Sequence, residues 1–376
     1  MSLKKISLIY LCSLFLRAIN RGPMLKNIIF TGGGSGGHVV PAITLIKSLD
    51  RKQYNIHYIG GRKSIEKELT ATLGIPYYGI FNGKLRRYFS LENFTDIFKL
   101  GIGVLQAIFI MLRFSSKNTL LFSTGGFVSL PAVFAAWLTG KKIFIHEQTS
   151  RVGLANKIAS RFATKVFVSF EDSVKFFPQG KTFVSGYPLR DACFTEEIND
   201  VQVGEQYLTS ITKPLLFVTG GGNGAGLLNE LIKKNLEALT QKYYVIHQVG
   251  KSFMNEYGPL KNNSYLPLPF LGEEMIDVYK KSALVVSRSG AGTVCELMAL
   301  KKKSLFIPLK IAQKNEQYHN AMEAKRRIGA LVLSEDELPK CDLLKLLEDL
   351  EKIQIPQGEI SNNNAKEFLL KEIQAL

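Results

Sequence analysis

Twice in this chain a short apolar run enters a cluster of glycines and then a helical pattern, and few folds can hold such a unit twice. The first copy runs from Asn27–Phe30 through Thr31-Gly32-Gly33-Gly34-Ser35-Gly36-Gly37-His38 into a helix expected over Pro41–Leu49. The second runs from Pro214–Val218 through Thr219-Gly220-Gly221-Gly222-Asn223-Gly224-Ala225-Gly226 into a helix expected from Leu227. A strand that reaches a helix through glycines leaves backbone N–H groups free, and the helix N-terminus adds partial positive charge, so each unit is a cradle for an anion. Glycines that only allow tight strand-to-helix packing would explain one such turn more easily than both.

Further strands are expected at Tyr54–Ile59, Thr119–Phe122, Lys142–Ile145, Lys165–Val168 and Thr182–Val184. In the second half they are expected at Tyr243–His247, Ala283–Val286 and Ser304–Ile307. Short apolar runs alternating with helical patterns predict parallel sheets covered by helices. The fold class is therefore α/β, with one kind of half made twice and a boundary near residue 187. At 376 residues with 46% hydrophobic side chains, the chain can bury two cores. The domains are expected at 24–187 and 188–350, with an amphipathic helical tail at 351–376.

Residues 1–23 are set apart. Lys4 and Lys5 precede the apolar run Ile6–Leu16, which is too short for a bilayer span of about 20 residues. The charged start and apolar middle suit a signal peptide, but the small-x-small cleavage pattern is missing. The leader is read as an interfacial anchor or an upstream start, with folding beginning at Met24. A second apolar segment, Phe98–Phe114, is apolar nearly all round a helix. It reads either as a core helix or as an exposed face that dips into a membrane.

Four scattered cysteines, Cys12, Cys193, Cys295 and Cys341, lack C-x-x-C spacing and neighbouring histidines, which argues against a disulfide framework or a zinc site. A formal charge of +16 favours polyanionic partners, whether nucleic acid, an anionic membrane or phosphorylated small molecules. No basic block resembles a nucleic-acid motif; the run Lys84–Tyr88 reads as a solvated loop or as a lipid or phosphate contact.

Gly32-x-Gly34-x-x-Gly37 matches the dinucleotide fingerprint, and Gly220-x-Gly222-x-x-Ala225 its relaxed form. A dehydrogenase also needs an acidic residue after the next strand. Here those strands end in Ile59-Gly60-Gly61-Arg62 and Gln248-Val249-Gly250, so hydride transfer loses its support. His38 follows the first turn, where an imidazole could take a proton from an attacking hydroxyl, although a lone histidine is more often structural. Val285–Glu296 opens through Ser287-Arg288-Ser289-Gly290-Ala291-Gly292-Thr293 into a helix, and small residues there let N–H groups approach a pyrophosphate. Glu296 can accept from a sugar diol or simply favour the helix dipole. Gln313, Gln317 and Asn320 are amides of the kind that suit sugar hydroxyls.

Taken in order, several blocks resemble the MurG-type glycosyltransferases. They are Gly33–His38, Gly125-Gly126-Phe127-Val128-Ser129, His146-Glu147-Gln148, Gly153–Lys157, Gly186–Arg190, Arg288–Thr293 and Gln317–Asn320. The resemblance spans about Met24 to Glu335. It implies two Rossmann-like domains facing across a cleft, the B-type glycosyltransferase fold. It also implies transfer of N-acetylglucosamine from UDP-N-acetylglucosamine to the undecaprenyl-pyrophosphoryl-muramoyl-pentapeptide called lipid I, giving lipid II. Carried over residue by residue, it gives the donor Ala291, Gly292 and Thr293 at the phosphates, Glu296 at the ribose, Leu271 at the uracil and Gln317 at the sugar. Arg190, Asn223 and Ser35, Gly36 and Gly37 join the donor side. Gly34, Gly125, Gly126, Glu147 and Gln148 take the acceptor side, and His38 becomes the base. The chain departs from the family pattern at Thr149-Ser150, at Tyr187 and at Gly222-Asn223. Threonine only partly imitates an amide and glycine has no side chain, so donor contacts at Thr149 and Gly222 do not carry over in full.

With no Asp-x-Asp pair, no metal or other cofactor is expected. The implied partners are the two substrates and an anionic membrane surface, with room for other cell-wall synthesis and division proteins, and no nucleic acid. The implied location is peripheral, on the cytoplasmic face of the bacterial inner membrane. Rival readings are another glycosyltransferase or a UDP-sugar epimerase on the same fold, and a non-catalytic polyanion- or membrane-binding protein.

Overall fold

The computed structural model describes residues 26–83, 92–310, 315–356 and 364–375, with the backbone alone over 92–97. The leader, the basic run at 84–88 and Gln313 lie outside the described residues.

Seven parallel strands form the first sheet: β1 (Lys26–Thr31), β2 (Tyr54–Gly61), β3 (Tyr77–Ile80), β4 (Thr119–Ser123), β5 (Lys142–Glu147), β6 (Lys165–Val168) and β7 (Thr182–Val184). Their order is β3-β2-β1-β4-β5-β6-β7. After a two-stranded hairpin, β8 (Gln202–Val203) and β9 (Gln206–Tyr207), a six-stranded parallel sheet follows. It contains β10 (Leu215–Thr219), β11 (Tyr244–Gln248), β12 (Tyr265–Leu268), β13 (Ser282–Ser287), β14 (Ser304–Phe306) and β15 (Leu331–Val332), in the order β12-β11-β10-β13-β14-β15. Both sheets thus repeat the doubly wound order 3-2-1-4-5-6, whose direction reverses between the first and fourth strands; ligands bind outside the carboxyl ends of the strands at that switch. Those ends are where the glycine turns lie. The central strands are buried nearly throughout, which is why they read as continuous apolar runs.

The sequence expectations missed β3, β12 and β15. All three are outermost strands, short and without the long apolar run of a central strand, and β12 carries Pro267, which an edge tolerates. The first helix, α1, covers Gly36–Ser48 and so begins five residues before its expected start, which places His38 in its first turn rather than in a preceding loop.

The long helix α3 (Glu92–Met111) follows a short α2 (Ile65–Thr70) and packs against α4 (Ser129–Leu138). It proves two-faced. Ala107 and Met111 are fully buried, whereas Phe98, Ile102, Leu105 and Phe109 are exposed at alternating spacings of four and three, with Leu112 continuing the row. Trp137 and Leu138, at the end of the neighbouring helix, are exposed as well.

Downstream come α5 (Leu154–Ala159), α6 (Gly226–Lys234), α7 (Leu236–Lys242), α8 (Met254–Tyr257), α9 (Met275–Lys281), α10 (Ala291–Ala299) and α11 (Glu316–Ile328), then α12 (Leu343–Lys352) and α13 (Ala365–Gln374). α12 buries Leu343, Leu347 and Leu350 against the second sheet, capped by Asp342, which accepts from the Lys345 N–H at 3.1 Å. α13 instead returns to the first domain. Its Leu369 and Ile373 are buried with Ile28, Phe30, Leu45 and Phe122, and Lys165 pairs with Glu372.

Candidate functional site between the two domains

The helices α1 and α10, one from each domain, are in contact across the interface. Neither Ser35 before α1 nor Gly290 before α10 caps its helix with a side chain; the His38 N–H donates to the Ser35 carbonyl at 3.2 Å, which leaves the N–H groups of Gly36 and Gly37 in α1, and of Ala291, Gly292 and Thr293 in α10, without an intrahelical partner. Such ends favour negative charge.

In the first domain the two glycine turns are packed against each other. The Gly33 N–H donates to the Gly125 carbonyl at 3.1 Å, and a Cβ on Gly126, whose φ is +83°, would lie 2.1 Å from the Gly33 carbonyl oxygen. Only glycine fits there. Part of the first cradle is already filled from within. Glu66, fully buried in α2, accepts from the Gly34 N–H at 3.3 Å and from the Gly61 N–H at 2.8 Å. The sequence reading passed over this residue, because a first-turn glutamate after Ser64 is ordinary helix-start chemistry. Gly34 therefore turns its N–H inward although the residue itself is exposed, as are Ser35 and Gly37, with Gly36 half-buried between them.

His38 lies half-buried beside that turn. Its Nδ1 is 3.1 Å from the Thr124 carbonyl oxygen and 3.2 Å from Gln148 Oε1, which ties α1 to the ends of β4 and β5. Gln148 is itself buried and donates from Nε2 toward His146 Nδ1 (3.2 Å) and the His146 carbonyl (3.1 Å). Glu147, also buried, accepts from the Thr149 N–H and hydroxyl (3.1 and 2.8 Å), the Gly153 N–H (3.3 Å) and Asn156 Nδ2 (3.0 Å). Its carboxylate shapes the loop 149–153. Thr149 is thus turned into its own domain.

In the second domain Arg190 and Glu296, both assigned to the donor by resemblance, hold each other. Arg190 Nε and Nη2 reach Glu296 Oε1 at 2.9 and 2.8 Å. Burial raises the Glu296 carboxyl above its usual value, and the guanidinium opposes that shift. The pair sits beside the start of α10, because Arg190 opens the connection into this domain and Glu296 lies in the second turn of α10. Tyr187, where the family pattern has asparagine, is fully buried under the same turn; a Cβ on Gly292 would lie 2.8 Å from its hydroxyl. The Leu271 N–H donates to Gln248 Oε1 at 2.9 Å, and Gln248 Nε2 to the Gly221 carbonyl at 2.8 Å, so Gln248 links Leu271 to the second glycine turn. Within that turn Gly222 and Asn223 are exposed, and a Cβ on Gly224 would meet the Val249 carbonyl oxygen at 1.8 Å.

Asn320 joins the halves. Ser150 donates to its Oδ1 at 3.2 Å, its Nδ2 donates to the Ser289 carbonyl at 3.2 Å, and Ser289 Oγ donates to the Gln317 carbonyl at 2.8 Å. Gln317 uses Oε1 to accept from the Leu309 N–H at 3.0 Å. A cavity of about 690 Å³ opens beside this bridge, between Ser150, Arg151 and Asp172 on one side and His319, Met322 and Arg326 on the other. Among the described residues no group of three or more His, Cys, Asp or Glu is placed to hold a metal ion.

The glycosyltransferase family 28 N-terminal domain matches residues 28–168, and the family 28 C-terminal domain matches residues 215–374. The chain belongs to glycosyltransferase family 28. Its family 28 relatives include a protein from Lachnospira eligens that is 40% identical over 329 residues, covering 87% of this chain and 91% of the relative. Another, from Bacillus cereus, is 37% identical over 354 residues, covering 93% and 99%. Both carry the name UDP-N-acetylglucosamine–N-acetylmuramyl-(pentapeptide) pyrophosphoryl-undecaprenol N-acetylglucosamine transferase, the second with the suffix 2. Among solved structures, Acinetobacter baumannii MurG aligns at a TM-score of 0.63 and 22% identity, covering 93% of this chain and all of that one. The UDP-bound S. aureus MnaA aligns at 0.64 and 15%. These two likenesses establish the shared B-type architecture of the family 28 chain, two parallel-sheet domains with a cleft between them.

Proposed function

We propose that this chain moves N-acetylglucosamine from UDP-N-acetylglucosamine to the lipid-linked pyrophosphoryl-N-acetylmuramyl-pentapeptide, the reaction its relatives are named for. The carrying observation is the contact between α1 and α10, helices of two domains whose starts carry no side-chain cap, with His38 in the first turn of one and Glu296 of the Arg190–Glu296 pair on the other. In the proposed reaction His38 takes the proton of the acceptor 4-hydroxyl, whose oxygen attacks the sugar C1 from the face opposite UDP. The C1–O bond to the diphosphate breaks, and the configuration inverts from α to β. Negative charge grows on the leaving UDP, where the N–H groups of Ala291, Gly292 and Thr293 and the Arg190 guanidinium supply preorganised stabilisation without a metal. Glu296, held by Arg190 through one oxygen, offers the other to the ribose.

The exposed row Phe98, Ile102, Leu105, Phe109 and Leu112 supports peripheral binding to a membrane that holds the lipid acceptor, on the cytoplasmic face of the inner membrane. Among the described residues no helix is long and apolar enough to cross a bilayer. An epimerase working on sugar nucleotides alone has no use for such a row. The test is to incubate purified protein with labelled UDP-N-acetylglucosamine and a lipid I analogue. Labelled lipid II is expected; its failure to form at any detergent level, with folding verified by circular dichroism, overturns the proposal.

A further inference from the structure

His146 is the one residue of the matched His146-Glu147-Gln148 block to which no role has yet been given, and the geometry around it is complete enough to supply one. The imidazole is fully buried, and burial pushes its pKa down to about 4, so it is neutral in any ordinary buffer and carries one ring proton. Nε2 lies 3.0 Å from the Gly186 carbonyl oxygen. A carbonyl only accepts, so the proton is on Nε2 and Nδ1 is an acceptor. The group facing Nδ1 is the Gln148 side chain at 3.2 Å, which must present its amide nitrogen.

Shape does not distinguish the two orientations of an amide; the surrounding network does. Turned the other way, Gln148 would set its oxygen against the His146 Nδ1 lone pair and the His146 carbonyl, two contacts between acceptors in a buried place. Its orientation is therefore fixed, with Oε1 toward His38 Nδ1. There Gln148 Oε1 and the Thr124 carbonyl are both acceptors, so His38 Nδ1 must carry the proton. In a neutral imidazole that leaves the lone pair on Nε2.

We propose that Gly186, His146 and Gln148 form a neutral relay that, together with the Thr124 carbonyl, fixes the tautomer of His38, holding its proton on Nδ1 and keeping Nε2 free to accept one. The inference rests on the reading of His38 as the base. His146 and Gln148 are positioning residues in it, acting on the orientation and tautomer of His38 without touching the reacting hydroxyl. A wrong tautomer at a histidine base is costly even where the geometry survives. The relay contains no carboxylate, so it supplies direction and no charge.

The test is a long-range ¹H–¹⁵N spectrum of the full chain labelled with ¹⁵N in the histidine rings, recorded at pH 8, with His38 assigned by its loss in His38→Ala. Wild type is expected to show His38 protonated at Nδ1 and His146 at Nε2; His38 protonated at Nε2 overturns the inference outright. In Gln148→Leu and His146→Phe, each checked for folding by thermal melting, the His38 signal is expected to move toward the Nε2-protonated form. With it kcat should fall at least about tenfold while the donor KM stays within about twofold. If either variant folds yet keeps both the tautomer and kcat, the relay is refuted. The wild-type spectrum decides the matter even if neither variant folds. The two readings fail separately: an Nδ1-protonated His38 in an enzyme whose His38→Ala variant keeps full turnover upholds the relay and removes His38 as base.

Discussion

Glu66 shows how a carboxylate of the chain itself can occupy part of a glycine turn. Its two oxygens hold the N–H groups of Gly34 and Gly61, one from each of the first two strand ends, and no solvent reaches it. Glu66→Gln keeps the shape but turns an NH2 group toward one of those donors. Equilibrium urea unfolding is expected to show a loss of about 1–3 kcal/mol, the cost of a buried unsatisfied donor. An unchanged midpoint would mean that the carboxylate is not needed to hold the turn. His38 makes a different demand. Its replacement by alanine is expected to lower kcat by about 10²–10⁴-fold, the usual worth of a general base, with the donor KM nearly unchanged. Steady-state kinetics with a soluble acceptor analogue measures both.

Residues of these two kinds were not equally legible in the sequence. The glycines announce themselves, because a Cβ on Gly126 would lie 2.1 Å from the Gly33 carbonyl oxygen, which no other residue can accommodate. Glu66 and His146 do not, since their partners lie on other strands and only the folded sheet brings them together. Resemblance supplied positions for Arg190 and Glu296; their pairing with each other was visible only in three dimensions.

Among the elements, α3 has a surface that the alternatives drawn from its sequence described only by halves. Apolar residues nearly all round a helix fit either a core helix or a membrane-facing helix, and in the protein one face is buried while the other is exposed. Phe109→Asp combined with Leu105→Asp is expected to reduce binding to vesicles containing anionic lipid by more than about tenfold, in a co-sedimentation assay, while leaving turnover of a soluble acceptor analogue intact. Equal vesicle binding by the double variant would detach this face from the membrane. Edge strands were the elements hardest to read, for β3, β12 and β15 are short and carry a weaker apolar signal than the central strands.

α11 carries a pH-sensitive element at its start. Burial, and then the Glu147 carboxylate, push Glu316 up to about 7 from an ordinary 4.5. Because the folded value is the higher one, the folded chain binds this proton more tightly than the unfolded chain. The stabilisation is complete below about pH 4.5 and is lost as the pH rises through 7. Urea unfolding at pH 5 and pH 8 should therefore differ by a contribution on the order of 2–3 kcal/mol that Glu316→Gln abolishes. A variant with the same pH dependence as wild type would contradict it.

At the scale of the whole molecule, the two halves read as a repeat and the sheets repeat the same strand order. The tail was legible as amphipathic helix, but not which core its apolar faces enter. α12 joins the second domain and α13 the first, a choice made by complementary surfaces far apart in sequence. Leu369→Ala is expected to cost about 2–5 kcal/mol, the range for truncating a buried leucine. Limited proteolysis should then cut within the first domain before the second. Cleavage confined to the second domain would show that α13 does not stabilise the first.

The return of α13 also sets an order in time. A ribosome makes the first domain's strands before any of the second domain exists, yet Leu369 and Ile373, which share a core with Ile28, Phe30 and Phe122, are synthesised only after the second domain's last helix. During translation the part of that core which α13 covers stays open while the second domain is made. Nascent chains of this protein therefore have a face for chaperones to cover that the finished molecule lacks.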